Sequence, residues 1–219
     1  RKEGVVGYEL RGADHLKASL EQGHGILLTP NHCRMSDPLV MGWMAREVNC
    51  LLYAMASWHL FNQDWFTAFA IHKMGGFSVN REGVDRPAIN TAIEILETAE
   101  RPLIIFPEGA VSRTNDRLHA LYDGVAFIAR TAAKRRRKRV AGGKVVVHPV
   151  ALKYLFQGDL ARSVDPVLSD IEHRFSWRPR RHVPFYDRIV KIGLALLCLK
   201  ELEYFGREQA GTLDERLAA

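Results

Sequence analysis

A histidine and an aspartate five positions apart carry the first chemistry in this 219-residue chain: His32 and Asp37, within Asn31-His-Cys-Arg-Met-Ser-Asp-Pro38. The histidine follows a short apolar run, Gly25-Ile-Leu-Leu-Thr29, and the aspartate stands just before Pro38. A carboxylate behind an imidazole keeps one ring nitrogen protonated and leaves the other free to take a proton from a substrate hydroxyl. That hydroxyl can attack a thioester carbonyl directly, so neither an enzyme nucleophile nor a GxSxG turn is needed. The competing reading is a loop histidine and a helix-capping aspartate, and chance supplies bare HxxxxD pairs freely.

Three further clusters follow in order. Gly75-Gly-Phe-Ser-Val-Asn-Arg81 combines glycines that let backbone approach a ligand with an arginine able to fork onto a phosphate. The alternative is a solvated surface arginine. Phe106-Pro-Glu-Gly109 follows the apolar Leu103–Phe106, where a turn can aim Glu108 and the Gly109 amide into a crevice; a plain Pro-Glu-Gly turn accounts for it equally. Val147-His-Pro-Val-Ala151 supplies apolar residues for an acyl channel or simply for core packing, with His148 a satisfied neighbour.

Taken together, these blocks resemble the glycerophospholipid acyltransferases, the family that includes bacterial 1-acylglycerol-3-phosphate acyltransferases. NHCRMSDP is similar to the family's NHxSxxDP-type block, GGFSVNR to its second block, FPEG is identical to the core of its third, and HPVAL is similar to its fourth. The resemblance spans residues 31 to 151. It implies transfer of a fatty acyl group from acyl-CoA or acyl carrier protein to a hydroxyl, often that of a lysophosphatidate. His32 is then the base and Asp37 its partner, with Asn31, Arg81, Glu108, Gly109 and Arg113 on the acceptor side. Glu108 would repel a phosphate, so it is expected to position other donors. Neither a metal nor a bound cofactor is implied beyond the acyl donor. Two departures bear on the acceptor: Arg34 stands where the family commonly has serine, and Ala110-Val-Ser-Arg113 brings an arginine two positions later than the usual Thr-Arg-Ser.

Positioning these residues falls to alternating elements. The pattern predicts strands at 25–29, 48–54, 77–79, 103–106 and 144–153. It predicts helices at 38–45 (Asp37 as N-cap, Pro38 first), 58–73, 86–100, 124–136 and 185–204. Ile89, Ala92, Ile93 and Leu96 give 86–100 its apolar stripe. Strands alternating with helices point to an α/β fold with a mostly parallel central sheet flanked by helices, and ligands gather beyond the strands' carboxyl ends. A single acyltransferase domain over 1–219 is expected, with a helical extension from about 157.

The chain is 47% hydrophobic and 26% charged, which suits one globular core, and its +6 charge suits an anionic partner. Cys33, Cys50 and Cys198 make neither a disulfide framework nor a CxxC zinc pair. No signal peptide is evident, and no apolar run reaches the ~18 residues of a membrane span. The chain opens on Arg-Lys-Glu rather than Met, which suggests a piece of something longer. The expected place is the cytoplasmic face of a membrane, peripheral or anchored by a segment outside this chain. Leu60, Phe61, Trp65, Phe66 and Phe69 can dip into the interface or form a buried stripe; Lys134–Arg139, with Arg178, Arg180 and Arg181, can meet anionic lipid or simply be solvated. Three rivals remain open: a thioester hydrolase using the same pair, a lipid binder without catalysis, and a nucleic-acid binder. The last lacks any zinc knuckle, RNP-like block or helix-turn-helix, so no nucleic-acid partner is expected.

Overall fold

The computed structural model describes residues 4–80 and 82–218. Two compact units divide the chain, Arg1–Tyr154 and Leu155–Ala219.

The first unit is built on five parallel strands: β1 (Gly25–Pro30), β2 (Tyr53–Ser57), β3 (Gly76–Val79), β4 (Leu103–Ile104) and β5 (Val145–Val150), in the order β3-β2-β4-β1-β5. Helix α1 (Ala13–Glu21) precedes β1, and α2 (Asp37–Glu47), α3 (Trp58–Phe61), α4 (Trp65–Lys73), α5 (Arg86–Thr98) and α6 (Asp123–Arg139) connect the strands. β1 shows why its sequence is an unbroken apolar run. Ile26 and Leu28 pack with Leu16 of α1 and Met41 and Met44 of α2, while Leu27 packs with Ala92, Ile93 and Leu96 of α5 and Ile128 of α6. A strand covered on both faces needs apolar residues at every position, and the result is an α/β/α sandwich. Edge strand β5 carries Pro149, tolerated there because an edge needs no donor on its outer side.

The chain leaves the neighbouring strands β1 and β4 in opposite directions. From β1 it crosses β4 to reach β2, and from β4 it crosses β1 to reach β5. The helices that follow, α2 and α6, lie on opposite faces. Such a switch point opens a crevice beyond the carboxyl ends of the two strands.

Several boundaries differ from the sequence expectation. The stretch 58–73 is two helices, because Asp64 accepts from the Thr67 amide (2.8 Å) and hydroxyl (2.6 Å) and starts α4 afresh. β2 begins at Tyr53, since Val48 closes α2 and Asn49 turns the chain with φ 51°. Ser36, not Asp37, holds the N-cap position of α2; Asp37 is its first residue and turns its carboxylate toward the preceding loop. β4 is only two residues long, although Ile105 still donates to Leu28 O at 3.1 Å. α6 runs on through the basic segment to Arg139, and buried Arg136 donates to Glu97 O at 2.6 Å and to Gly23 O.

The second unit contains α7 (Leu160–Arg174), α8 (Phe185–Phe205) and α9 (Leu213–Ala218). Buried Arg188 of α8 donates to both oxygens of Glu172 (3.1 and 2.8 Å), to Asp165 (2.6 Å) and to Ser169 Oγ (3.1 Å), pinning α8 to α7. Among the described residues no helix is long and apolar enough to cross a membrane.

Candidate active site

The loop after β1 and the loop after β4 meet in the crevice. His32 Nδ1 lies 2.8 Å from Asp37 Oδ2. An ionised carboxylate only accepts, so Nδ1 carries the proton and Nε2 keeps its lone pair. Asp37 is fully buried, and its carboxylate also accepts from the Arg34 amide (3.0 Å) and the Tyr154 hydroxyl (2.5 Å). Burial pushes the Asp37 carboxyl up, but the hydrogen bonds from His32, the Arg34 amide and Tyr154 outweigh it and hold the group below its ordinary value. The His32 ring stacks on Phe106, centroids 4.1 Å apart, and its side chain stays 14% exposed. Fixed behind and beside, the ring is open enough to meet a substrate hydroxyl.

The post-β4 loop also grips the backbone of His32. Glu108, buried, accepts from the His32 amide (2.8 Å) and, through its other oxygen, from the His119 amide (3.3 Å). Ser112 donates to His32 O with its amide (2.7 Å) and its hydroxyl (3.0 Å). Gly109 makes the turn possible: its φ is 70°, and a Cβ there would lie 2.2 Å from the Tyr122 ring. Only glycine fits both demands.

Two asparagines extend the sheet beyond β5. Asn31 Oδ1 accepts from Leu152 N (2.6 Å) and its Nδ2 donates to Leu152 O (3.0 Å); Asn115 does the same for Tyr154, at 3.0 and 2.6 Å. Each side chain imitates a neighbouring strand. Asn31 Nδ2 also lies 2.8 Å from Cys33 Sγ.

Next to His32 in sequence, Cys33, Arg34, Met35 and Ser36 line, with Val111 and Arg113, a pocket of about 360 Å³. Arg34 lies over the Tyr154 ring, Cζ 4.7 Å from its centroid. Arg113 is held by a left-handed backbone, φ 57°. Neither guanidinium forms an ion pair with the described residues, so both are available to an anion.

The structure thus brings together Asn31, His32, Asp37, Glu108, Gly109 and Arg113. Arg81 lies outside the described residues. His148 sits apart on β5, its Nε2 3.0 Å from Ser19 Oγ on α1, and burial pushes its ring below the ordinary histidine value. Among the described residues no group of three or more His, Cys, Asp or Glu is placed to hold a metal. Tyr154, Asn115 and Ser112 are the site residues that sequence reasoning missed. Ser112 lies in the continuation of the third block, where only the arginine drew attention; the other two belong to no motif, and only the fold shows what the three touch.

Exposed apolar residues stand on or next to helices that follow the strands' carboxyl ends, α2 after β1 and α4 after β2 and α3. Met35 and Leu39 flank the start of α2, and Trp65, Phe66 and Phe69 stand exposed on α4, with Trp65 79% accessible. These three are therefore not a core stripe, whereas Leu60 and Phe61 are partly buried. The basic end of α6 lies toward the opposite, amino-terminal end of the strands: it leads into Val145, which pairs with Gly25 at the start of β1. The length of β1, roughly 17 Å at ~3.3 Å per residue, separates the two.

The Acyltransferase family model matches residues 9–153, well over half of the chain and nearly all of the first unit. With its all-parallel sheet and its strand-end crevice, this chain belongs to the acyltransferase family.

Proposed function

We propose that the protein moves a fatty acyl group from acyl-CoA or acyl carrier protein to the hydroxyl of a lysophosphatidate-like lipid, as 1-acylglycerol-3-phosphate acyltransferases do. The observation that carries this reading is the His32–Asp37 pair at 2.8 Å in the switch-point crevice. Nε2 of His32 takes the hydroxyl proton as the oxygen attacks the thioester carbonyl. The C–O bond forms, the C–S bond breaks, and the proton passes to the departing thiolate. The pocket holding Arg34 and Arg113 suits the phosphate end of such an acceptor. In this reading Glu108 and Asn31 act on the acceptor indirectly, by holding the loops around it.

A lipid acceptor calls for a surface that touches the bilayer. Trp65, Phe66 and Phe69, with Met35 and Leu39, would enter the interface of an anionic membrane on its cytoplasmic side, bringing the crevice to the lipid. The test is product analysis. Protein, palmitoyl-CoA and oleoyl-lysophosphatidate should yield phosphatidate by mass spectrometry. Free fatty acid alone would instead favour a hydrolase, and no consumption of thioester across a panel of lysolipids and carrier-bound donors would reject the reading.

A further inference from the structure

Tyr154 touches both halves of the site. Its hydroxyl donates to Asp37 Oδ1 at 2.5 Å, the oxygen that His32 does not use, and its ring lies under the Arg34 guanidinium. Ser36 Oγ lies 3.3 Å from the same hydroxyl; since the tyrosine proton goes to Asp37, the serine is the donor there. Asn115 fixes the residue from behind through both backbone groups. Few side chains have the hydroxyl, the ring face and the backbone all engaged, and here each contact leads to a different part of the site.

We propose that Tyr154 is a positioning residue that locks the base and the acceptor pocket into one geometry, its hydroxyl orienting Asp37 behind His32 and its ring holding Arg34 over the anionic end of the acceptor. The assignment rests on the acyl-transfer reading for its catalytic consequence, not for its geometry. Around Asp37 the titratable and charged groups are His32, Cys33 and Arg34 on its own loop, Glu108 on the loop after β4, and Tyr154 after β5. Burial, and then the bond to Asp37, push the tyrosine hydroxyl above its ordinary value, so it stays a donor across any practical assay range. A carboxylate that loses this donor holds its charge less well and titrates at higher pH.

Tyr154→Phe keeps the ring and removes the hydroxyl; Tyr154→Leu removes both. The phenylalanine variant should lower kcat about tenfold with the acceptor KM unchanged, and move the acid limb of kcat/KM to higher pH. Loss of the ring in the leucine variant should add a rise in acceptor KM. Independently of turnover, the side-chain ¹³C shift of Asp37 should titrate at higher pH in Tyr154→Phe than in wild type. An unchanged Asp37 titration in that variant overturns the proposal, whether or not an acceptor has been found. Absence of turnover in wild type would count against the acyl-transfer reading, while the titration would still decide the role of Tyr154.

Discussion

Glu108 accepts the backbone amide of His32 at 2.8 Å, so the carboxylate of the third motif holds the histidine of the first rather than facing a ligand. Its second oxygen takes the His119 amide, and the buried side chain ties three points of two loops together.

Removing that carboxylate leaves the His32 and His119 amides without their acceptor. Glu108→Ala should lose about 1–3 kcal/mol of stability in urea unfolding, and turnover should fall as His32 drifts. Glu108→Gln can satisfy one amide but presents N–H to the other, so it should fall between the two. Equal stability in all three proteins would show that Glu108 is not holding the loops.

Asp37 makes stability depend on acid. Its carboxyl is held below its ordinary 3.8, so the folded state gains from the ionised form above that value and loses the gain as pH falls through the lowered one. The stability gap between wild type and Asp37→Asn should therefore be widest near neutral pH and shrink below about pH 4. Denaturant unfolding at several pH values measures it. A gap that widened in acid would contradict the assignment.

Gly109 combines a left-handed backbone with a ring where a Cβ would sit. Gly109→Ala should cost about 1–3 kcal/mol. Part of that cost should disappear when Tyr122→Ala is added, because the clash goes while the backbone strain stays. Strict additivity of the two changes would show that the ring is not the obstacle.

The pocket arginines should govern acceptor affinity. Arg34→Ala or Arg113→Ala should raise KM for a phosphorylated acceptor roughly tenfold or more, as expected for losing a charge-assisted bond, with a smaller effect on an acceptor lacking the phosphate. Steady-state kinetics on the two acceptors separates these effects, and equal losses on both would remove the arginines from phosphate recognition.

Much of the sheet was legible because residues 25–28 of β1 and the 103–106 run are apolar throughout, as doubly covered strands must be. The stripe of α5 likewise announced its packed face. The pair His32 and Asp37 was legible from spacing and from the company of FPEG. Asp37 as a helix cap was not the outcome, because three donors draw its carboxylate into the site. Trp58–Lys73 read as one helix because hydrophobicity continues across it; the break at Asp64 depends on a local side-chain bond that periodicity does not register. Tyr154 and Asn115 lie 117 and 39 residues from the groups they hold, and such pairings exist only once β1, β4 and β5 are side by side.

In the proposed reaction His32, oriented by Asp37, deprotonates a lipid hydroxyl that attacks a thioester. The most direct measurement is thiol release from acyl-CoA, with and without lysophosphatidate, by wild type, His32→Ala and Asp37→Asn. Release should require the lipid, fall by several orders of magnitude in His32→Ala, and fall strongly in Asp37→Asn. Lipid-dependent release that survives in His32→Ala would contradict this mechanism.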